Sequence, residues 1–213
     1  VRIAAAVPRV AVGNIEKNRI EIASMMAEAA DKGVAIVAFP ELSLTSYTLG
    51  DLFRQRSVRE QGEAELKILL DETKSLPVMA VIGMPVYFGD KLYNTAVIFQ
   101  SGKLLGVVPK AYIPNYQEYY EQRWFVSGIN VTGQTIALAG QEAPFGTDIL
   151  FACADVPDFV VGVELCEDLW VPFPPHAFQA MAGSMLCINI SASNELAGKS
   201  EYRREMIVQQ SGR

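Results

Sequence analysis

The stretch Val34-Ala-Ile-Val-Ala-Phe-Pro-Glu41 points to an α/β protein. An unbroken apolar run, stopped by a proline, suits a strand buried on both faces rather than one half-exposed to water. The segment before it is helical in pattern. Asn14 suits an N-cap, Ile15, Ile20, Ala23, Met26, Ala27 and Ala30 recur at helical spacing, and Gly33 suits the stop. Outward from there the alternation continues. Residues 2–7 form a short apolar run, 57–74 a charged helix and 78–84 another buried strand. Residues 92–99 and 103–109 flank Ser101-Gly102 as a hairpin. Short strands are predicted at 134–138, 149–153, 159–165 and 185–190, with helices at 174–183 and 200–210. Buried runs separated by helices predict a largely buried sheet, with the hairpin as its antiparallel part. No repeat or linker divides residues 1–213, so one domain is expected.

Composition narrows the chemistry. The chain has 213 residues, 50% hydrophobic and 20% charged, enough to build a core and unlike a disordered or collagen-like segment. A formal charge of −6 argues against nucleic acid as a partner. No apolar run reaches the ~18 residues of a spanning helix, and no signal peptide opens the chain, so no membrane partner and a cytoplasmic location are expected. Three cysteines (Cys153, Cys166, Cys187) without a CxxC pair suit a reducing compartment and exclude a cysteine-built zinc site. With His176 the one histidine, multi-histidine metal sites are excluded, and no metal is expected.

Three chemically capable residues stand at the ends of expected strands: Glu41, Lys110 after Leu-Leu-Gly-Val-Val-Pro, and Cys166 after Val-Val-Gly-Val-Glu-Leu. Strand ends are where open α/β sheets assemble ligand sites. Each also has a bland reading: a helix-start acid, a solvated loop lysine, and a small apolar filler of the kind expected of Cys153 and Cys187. Together they make a mechanism. A free thiol has a pKa of ~8.5 and needs a base. A carboxylate in a dry pocket can take the proton, and a neighbouring lysine favours thiolate and stabilises an oxyanion. Glu, Lys and Cys thus form a nucleophilic triad without histidine.

The blocks Phe39-Pro-Glu-Leu42, Pro109-Lys110 and Glu164-Leu-Cys-Glu-Asp168 resemble those of the nitrilase (carbon–nitrogen hydrolase) superfamily, and the resemblance runs from residue 2 to about 210. Within it, the stretches 41–53, 110–121 and 191–199 look most like the glutaminase domain of glutamine-dependent NAD⁺ synthetases. The resemblance implies a nitrilase-like α-β-β-α sandwich. The helix ending near Gly212 has no strand after it and the chain does not begin with Met, so a fragment lacking its C-terminal strands is expected.

The resemblance further implies that Cys166 attacks the side-chain amide of L-glutamine and Glu41 shuttles the proton. Lys110 and the backbone N–H after Cys166 would hold the oxyanion. Glu118 would be the second glutamate that orients Lys110 or the substrate. Tyr116, Ser193 and Lys199 would bind glutamine, with Glu167 at its amino group; Arg203 or Arg204 are alternatives for the carboxylate. Tyr116 and Ser193 could equally be solvated turn residues. His176 is read as a helix-start residue, and Trp170 and Phe173 as pocket wall or core. The released ammonia would serve a synthetase domain of the same polypeptide. ATP and Mg would belong to that domain, with no cofactor expected in this one. A homo-oligomer is expected from the superfamily habit. Two other readings keep their place: a stand-alone amidase, carbamoylase or nitrilase, and a non-catalytic subunit.

Overall fold

A computed structural model describes residues 1–212, in which two β-sheets face each other and helices cover their outer faces. In chain order the elements are β1 (Ile3–Ala5), α1 (Ile15–Asp31), β2 (Ile36–Ala38), α2 (Arg56–Glu72), β3 (Met79–Phe88), β4 (Lys91–Gln100) and β5 (Lys103–Pro109). There follow β6 (Gln134–Leu138), β7 (Gln141–Phe145), β8 (Leu150–Ala152), β9 (Val160–Leu165), α3 (Pro175–Met181), β10 (Leu186–Ile190) and α4 (Lys199–Ser211). The larger sheet has the order β1-β2-β3-β4-β5-β7-β6, and the smaller β10-β9-β8. Strands β1, β2 and β3 run parallel, whereas β3, β4 and β5 form an antiparallel meander.

Period-two alternation explains the layering, because successive strand side chains point to opposite faces. On β4, Tyr93, Val97 and Phe99 join Ile22 and Met26 of α1 and Leu66 and Leu69 of α2 in the outer core. Ala96 and Ile98 point the other way and meet Val161, Val163 and Leu165 of β9 and Ile188 and Ile190 of β10. The remaining face of β9 carries Gly162 and Glu164 toward α3. A Cβ on Gly162 would sit 2.2 Å from Gln179 Oε1, so the glycine makes room for that side chain, whose amide donates to Val163 O at 3.0 Å. This is the expected helix–sheet–sheet–helix stack.

Two local differences from the expected pattern have a common origin in proline. Strand β3 does not stop at Met84 but continues through Pro85, which pairs with Asn94, to a tight turn at Gly89-Asp90. Strand β7, also interrupted by a proline, pairs with β6 across Ala139-Gly140, both with positive φ, as a two-residue hairpin requires. Proline reads as a strand breaker in sequence, yet both sit in ladders whose other residues supply the hydrogen bonds. Cys153 and Cys187, expected as core fillers, are exposed, because both lie beside or on short strands of the small sheet rather than between the sheets.

Candidate active site

The site forms where the layer between the sheets opens at the ends of β2, β5 and β9. Glu41 follows β2 by way of Pro40, and its main chain crosses directly over β3. A Cβ on Gly83 would lie 2.1 Å from Leu42 N and 2.7 Å from Glu41 C, so only glycine permits the crossing. Leu42 adopts φ +53°, which turns the chain sharply after the acid. The Glu41 carboxylate is buried and fully engaged. Its Oε1 accepts from Lys110 Nζ at 2.7 Å and Asn94 Nδ2 at 2.7 Å, and its Oε2 accepts from Ala192 N at 3.1 Å.

Lys110 follows β5 and has no solvent exposure. Besides Glu41 it donates to both oxygens of Glu121, at 2.8 and 2.9 Å. Burial pulls this ammonium toward the neutral form. The negative charges of Glu41 and Glu121 overcome that pull and hold it protonated, above the ordinary lysine range. Tyr47 donates its hydroxyl to Glu121 at 2.7 Å, and burial together with Glu121 keeps that phenol from ionising.

Cys166 closes the arrangement. It begins a short 3₁₀ turn, Cys166–Leu169, directly after β9, with φ +42°. A positive φ on a non-glycine residue is costly and persists only where its surroundings enforce it. Here the enforcement comes from Asp168. Its carboxylate accepts from Leu165 N at 3.0 Å, Ala111 N at 3.3 Å and Tyr112 N at 2.8 Å, tying the cysteine turn to the chain just after Lys110. Burial pushes the Cys166 thiol up to about 12 and the charge of Glu41 adds to this, while Lys110 and a hydrogen bond with Ser191 oppose it. At rest Cys166 is therefore a protonated thiol, and ionising it would need an adjacent base.

Cys166 borders a cavity of about 340 Å³. At one side the Glu167 carboxylate is held by the Tyr116 hydroxyl, at 3.0 and 3.1 Å to its two oxygens. The Lys199 ammonium, also in the lining, lies 5.4 Å above the Trp170 ring and 5.7 Å above that of Tyr119, and it donates to Asn194 Oδ1. The lining thus carries both a carboxylate and a cation, together with Ser193, Leu196 and Tyr202. The size lies at the small end of ordinary ligand sites.

A family model for carbon–nitrogen hydrolases matches residues 2–212. The chain belongs to the carbon–nitrogen hydrolase family. It is 40% identical over 204 residues to a glutamine-dependent NAD(+) synthetase of Mycobacterium bovis, covering 96% of this chain and 30% of that protein. It is 29% identical to the enzyme of the same description from Aquifex aeolicus, over 92% of this chain and 31% of the relative. The chain therefore spans about a third of the length of these relatives. The crystal structure of a glutamine-dependent NAD(+) synthetase from Cytophaga hutchinsonii superposes with a TM-score of 0.85 at 27% identity, over 98% of this chain and 33% of that one. An amidase from a Nesterenkonia species has the same fold, with a TM-score of 0.65 at 17% identity, over 92% of this chain and 66% of that one.

The expected site residues separate clearly in this hydrolase fold. Glu41 and Lys110 are in direct contact, and Cys166 lies within range of both charges. Tyr116, Glu167, Ser193 and Lys199 line one cavity with Cys166, whereas Arg203 and Arg204 do not. Glu118 must be corrected. It is exposed and accepts from the Asn194 side chain, and the carboxylate against Lys110 is that of Glu121. The intervening loop doubles back, with Gln117 at φ +51° and Glu121 N donating to Pro114 O at 3.1 Å, and this delivers Glu121 rather than Glu118 to the interior. Asn94 and Tyr47 were not anticipated. The signal for Asn94 was available: it shares strand parity with Ala96 and Ile98, which puts a polar amide on a core face.

The remaining sequence features fall elsewhere. His176 sits in the first turn of α3, its Nδ1 3.1 Å from Glu164, on the outer face of the small sheet. Trp170 forms cavity wall, stacked on Tyr202 with centroids 5.8 Å apart, whereas Phe173 is 72% exposed.

Proposed function

We propose that this domain hydrolyses the side-chain amide of glutamine through a Cys166 thioester. The observation that carries the reading is the Glu41–Lys110 ion pair, fully buried next to a protonated Cys166 that borders a cavity bearing both a carboxylate and an ammonium. A free amino acid presents the complementary charges: its α-amino group suits Glu167 and its α-carboxylate suits Lys199. Tyr116 holds Glu167 in place, and Ser193 lies beside the substrate.

Charge bookkeeping favours Glu41 as the base. Glu41, Glu121 and Lys110 together leave the site with net negative charge, so losing the thiol proton to solvent would place a further anion in a dry cavity. Passing the proton to Glu41 creates the thiolate without changing the total. Oε1 of Glu41 already accepts two strong donors, which leaves Oε2 as the better acceptor. The thiolate attacks the amide carbon, and Lys110 with the N–H of Glu167 stabilises the oxyanion. Glu41 returns its proton to the departing ammonia and then activates water against the thioester.

The relatives' description as glutamine-dependent NAD(+) synthetases supports a use of the ammonia in NAD⁺ synthesis; in this reading a synthetase domain of the same polypeptide amidates deamido-NAD⁺ with ATP and Mg, and this domain uses no cofactor. A cytoplasmic homo-oligomer fits this reading. The test is ammonia release from glutamine compared with propionamide and butyronitrile, with Cys166→Ala as control. Glutamine is expected to lead by at least ~10²-fold in kcat/KM. Equal rates with propionamide would refute glutamine as the substrate.

A further inference from the structure

Asn94 on β4 touches all three parts of the buried charge cluster. Its backbone carbonyl accepts from Lys110 N at 2.8 Å. Its side-chain Nδ2 donates to Glu41 Oε1 at 2.7 Å and, more weakly, to Glu121 Oε2 at 3.4 Å. The side chain has no solvent exposure, and its Oδ1 has no hydrogen-bond partner among the described residues. The orientation of the amide is dictated by its neighbours, because reversing it would aim a carbonyl at two carboxylates. A buried acceptor without a donor is costly. An apolar residue would avoid that cost among Ala96 and Ile98, so what the amide contributes here lies in its Nδ2 bonds to the two carboxylates.

We propose that Asn94 is a positioning residue for the proton acceptor, and that its amide decides which oxygen of Glu41 receives the Cys166 proton. The inference rests on Glu41 acting as base. Lys110 and Asn94 occupy both lone pairs of Oε1 and fix the rotation of the carboxylate, whereas Oε2 receives the single N–H of Ala192 and keeps a lone pair free. The S–H bond of Cys166 then breaks as an O–H bond forms on Oε2. The amide also stands between Glu41 and Glu121, two carboxylates that otherwise repel. The groups acting on position 94 are Glu41 after β2, Lys110 after β5, Glu121, Tyr47 through Glu121, and Cys166 after β9.

Asn94→Asp tests this, because the near-isosteric carboxyl changes role with pH. Protonated, its O–H can still donate to Glu41 Oε1. Ionised, it adds a third carboxylate and suppresses the thiolate. The readout is the rate of Cys166 alkylation by iodoacetamide, followed by peptide mass spectrometry between pH 5.5 and 8.5, alongside glutamine hydrolysis. The variant-to-parent ratio of alkylation rates is expected to fall at least ~10-fold across that range. A ratio flat with pH would overturn the proposal. Asn94→Ala supplies a second measurement should the aspartate variant fail to fold: kcat falls ~10–100-fold with KM unchanged. Parent-like kcat in Asn94→Ala would also overturn it. Because alkylation needs no substrate, failure of the glutamine reading leaves this test intact and is seen separately, as absent ammonia release with normal pH-dependent labelling.

Discussion

The ammonium of Lys110 lies 2.7 Å from Glu41 Oε1, and neither side chain reaches solvent. Because Glu121 grips the same ammonium, one buried cation serves two buried anions. Removing it leaves both carboxylates unpaired in the interior. Lys110→Met is therefore expected to lower stability by about 3–5 kcal/mol at pH 7, read from urea unfolding midpoints. The deficit should shrink toward pH 4, as the stranded carboxyls take up protons. A stability loss independent of pH would mean that packing rather than charge accounts for the cost.

Glu41→Gln separates binding from proton transfer. A glutamine can still accept from Lys110 and Asn94 through its carbonyl oxygen, but it cannot take the thiol proton. The turnover number for glutamine is expected to fall ~10²–10⁴-fold with KM within a few-fold of the parent. Steady-state ammonia assays with a circular dichroism control measure both. Retention of parent-like turnover would remove Glu41 from the role of base.

Gly83→Ala probes the crossing of the Glu41 segment over β3. The new Cβ would come within 2.1 Å of the Leu42 amide nitrogen, a distance that real structures do not tolerate. The backbone carrying Glu41 must move away, so both stability and activity should suffer. Overpacking of this kind costs about 1–3 kcal/mol. Activity should fall by more than the unfolded fraction explains, because Glu41 shifts relative to Lys110. Thermal unfolding and ammonia release on the same samples test this.

Much of this site could be read from residues alone because the fold places it at strand ends, and buried strands are conspicuous. Val34–Phe39 and Phe159–Leu165 announce themselves as apolar runs, so Glu41 and Cys166 stand out as the first reactive residues beyond them. The companions of Lys110 were harder. Glu118 and Glu121 lie in the same loop, and only the reversal at Gln117 decides which turns inward. Backbone reversal outside helices and strands leaves no periodic trace. Pro85 concealed the true length of β3 and Pro144 hid β7 altogether, since a missing donor in sequence says nothing of what the neighbouring residues supply.

His176 gives a pH-dependent stability on the far face of the small sheet. The hydrogen bond to Glu164 raises its imidazole above the ordinary value, against the opposing effect of burial. A raised folded value means the stabilisation is complete below the unfolded pKa of about 6.5 and is lost as pH rises through the folded one. In His176→Gln the deficit should reach about 1 kcal/mol at pH 5.5 and vanish by pH 9, in paired urea titrations. A deficit that grows with pH would show that the neutral imidazole is the stabilising form.

The positive φ of Cys166 has a consequence for the resilience of the domain as well as for the proposed chemistry. A glycine at that point would relax the main chain, and random drift toward comfort would carry the sulfur away with it. The scaffold thus keeps this sulfur at a place where local ease and the proposed chemistry disagree. Cys166→Gly would therefore ease the backbone of this domain while removing the sulfur on which the proposed chemistry depends.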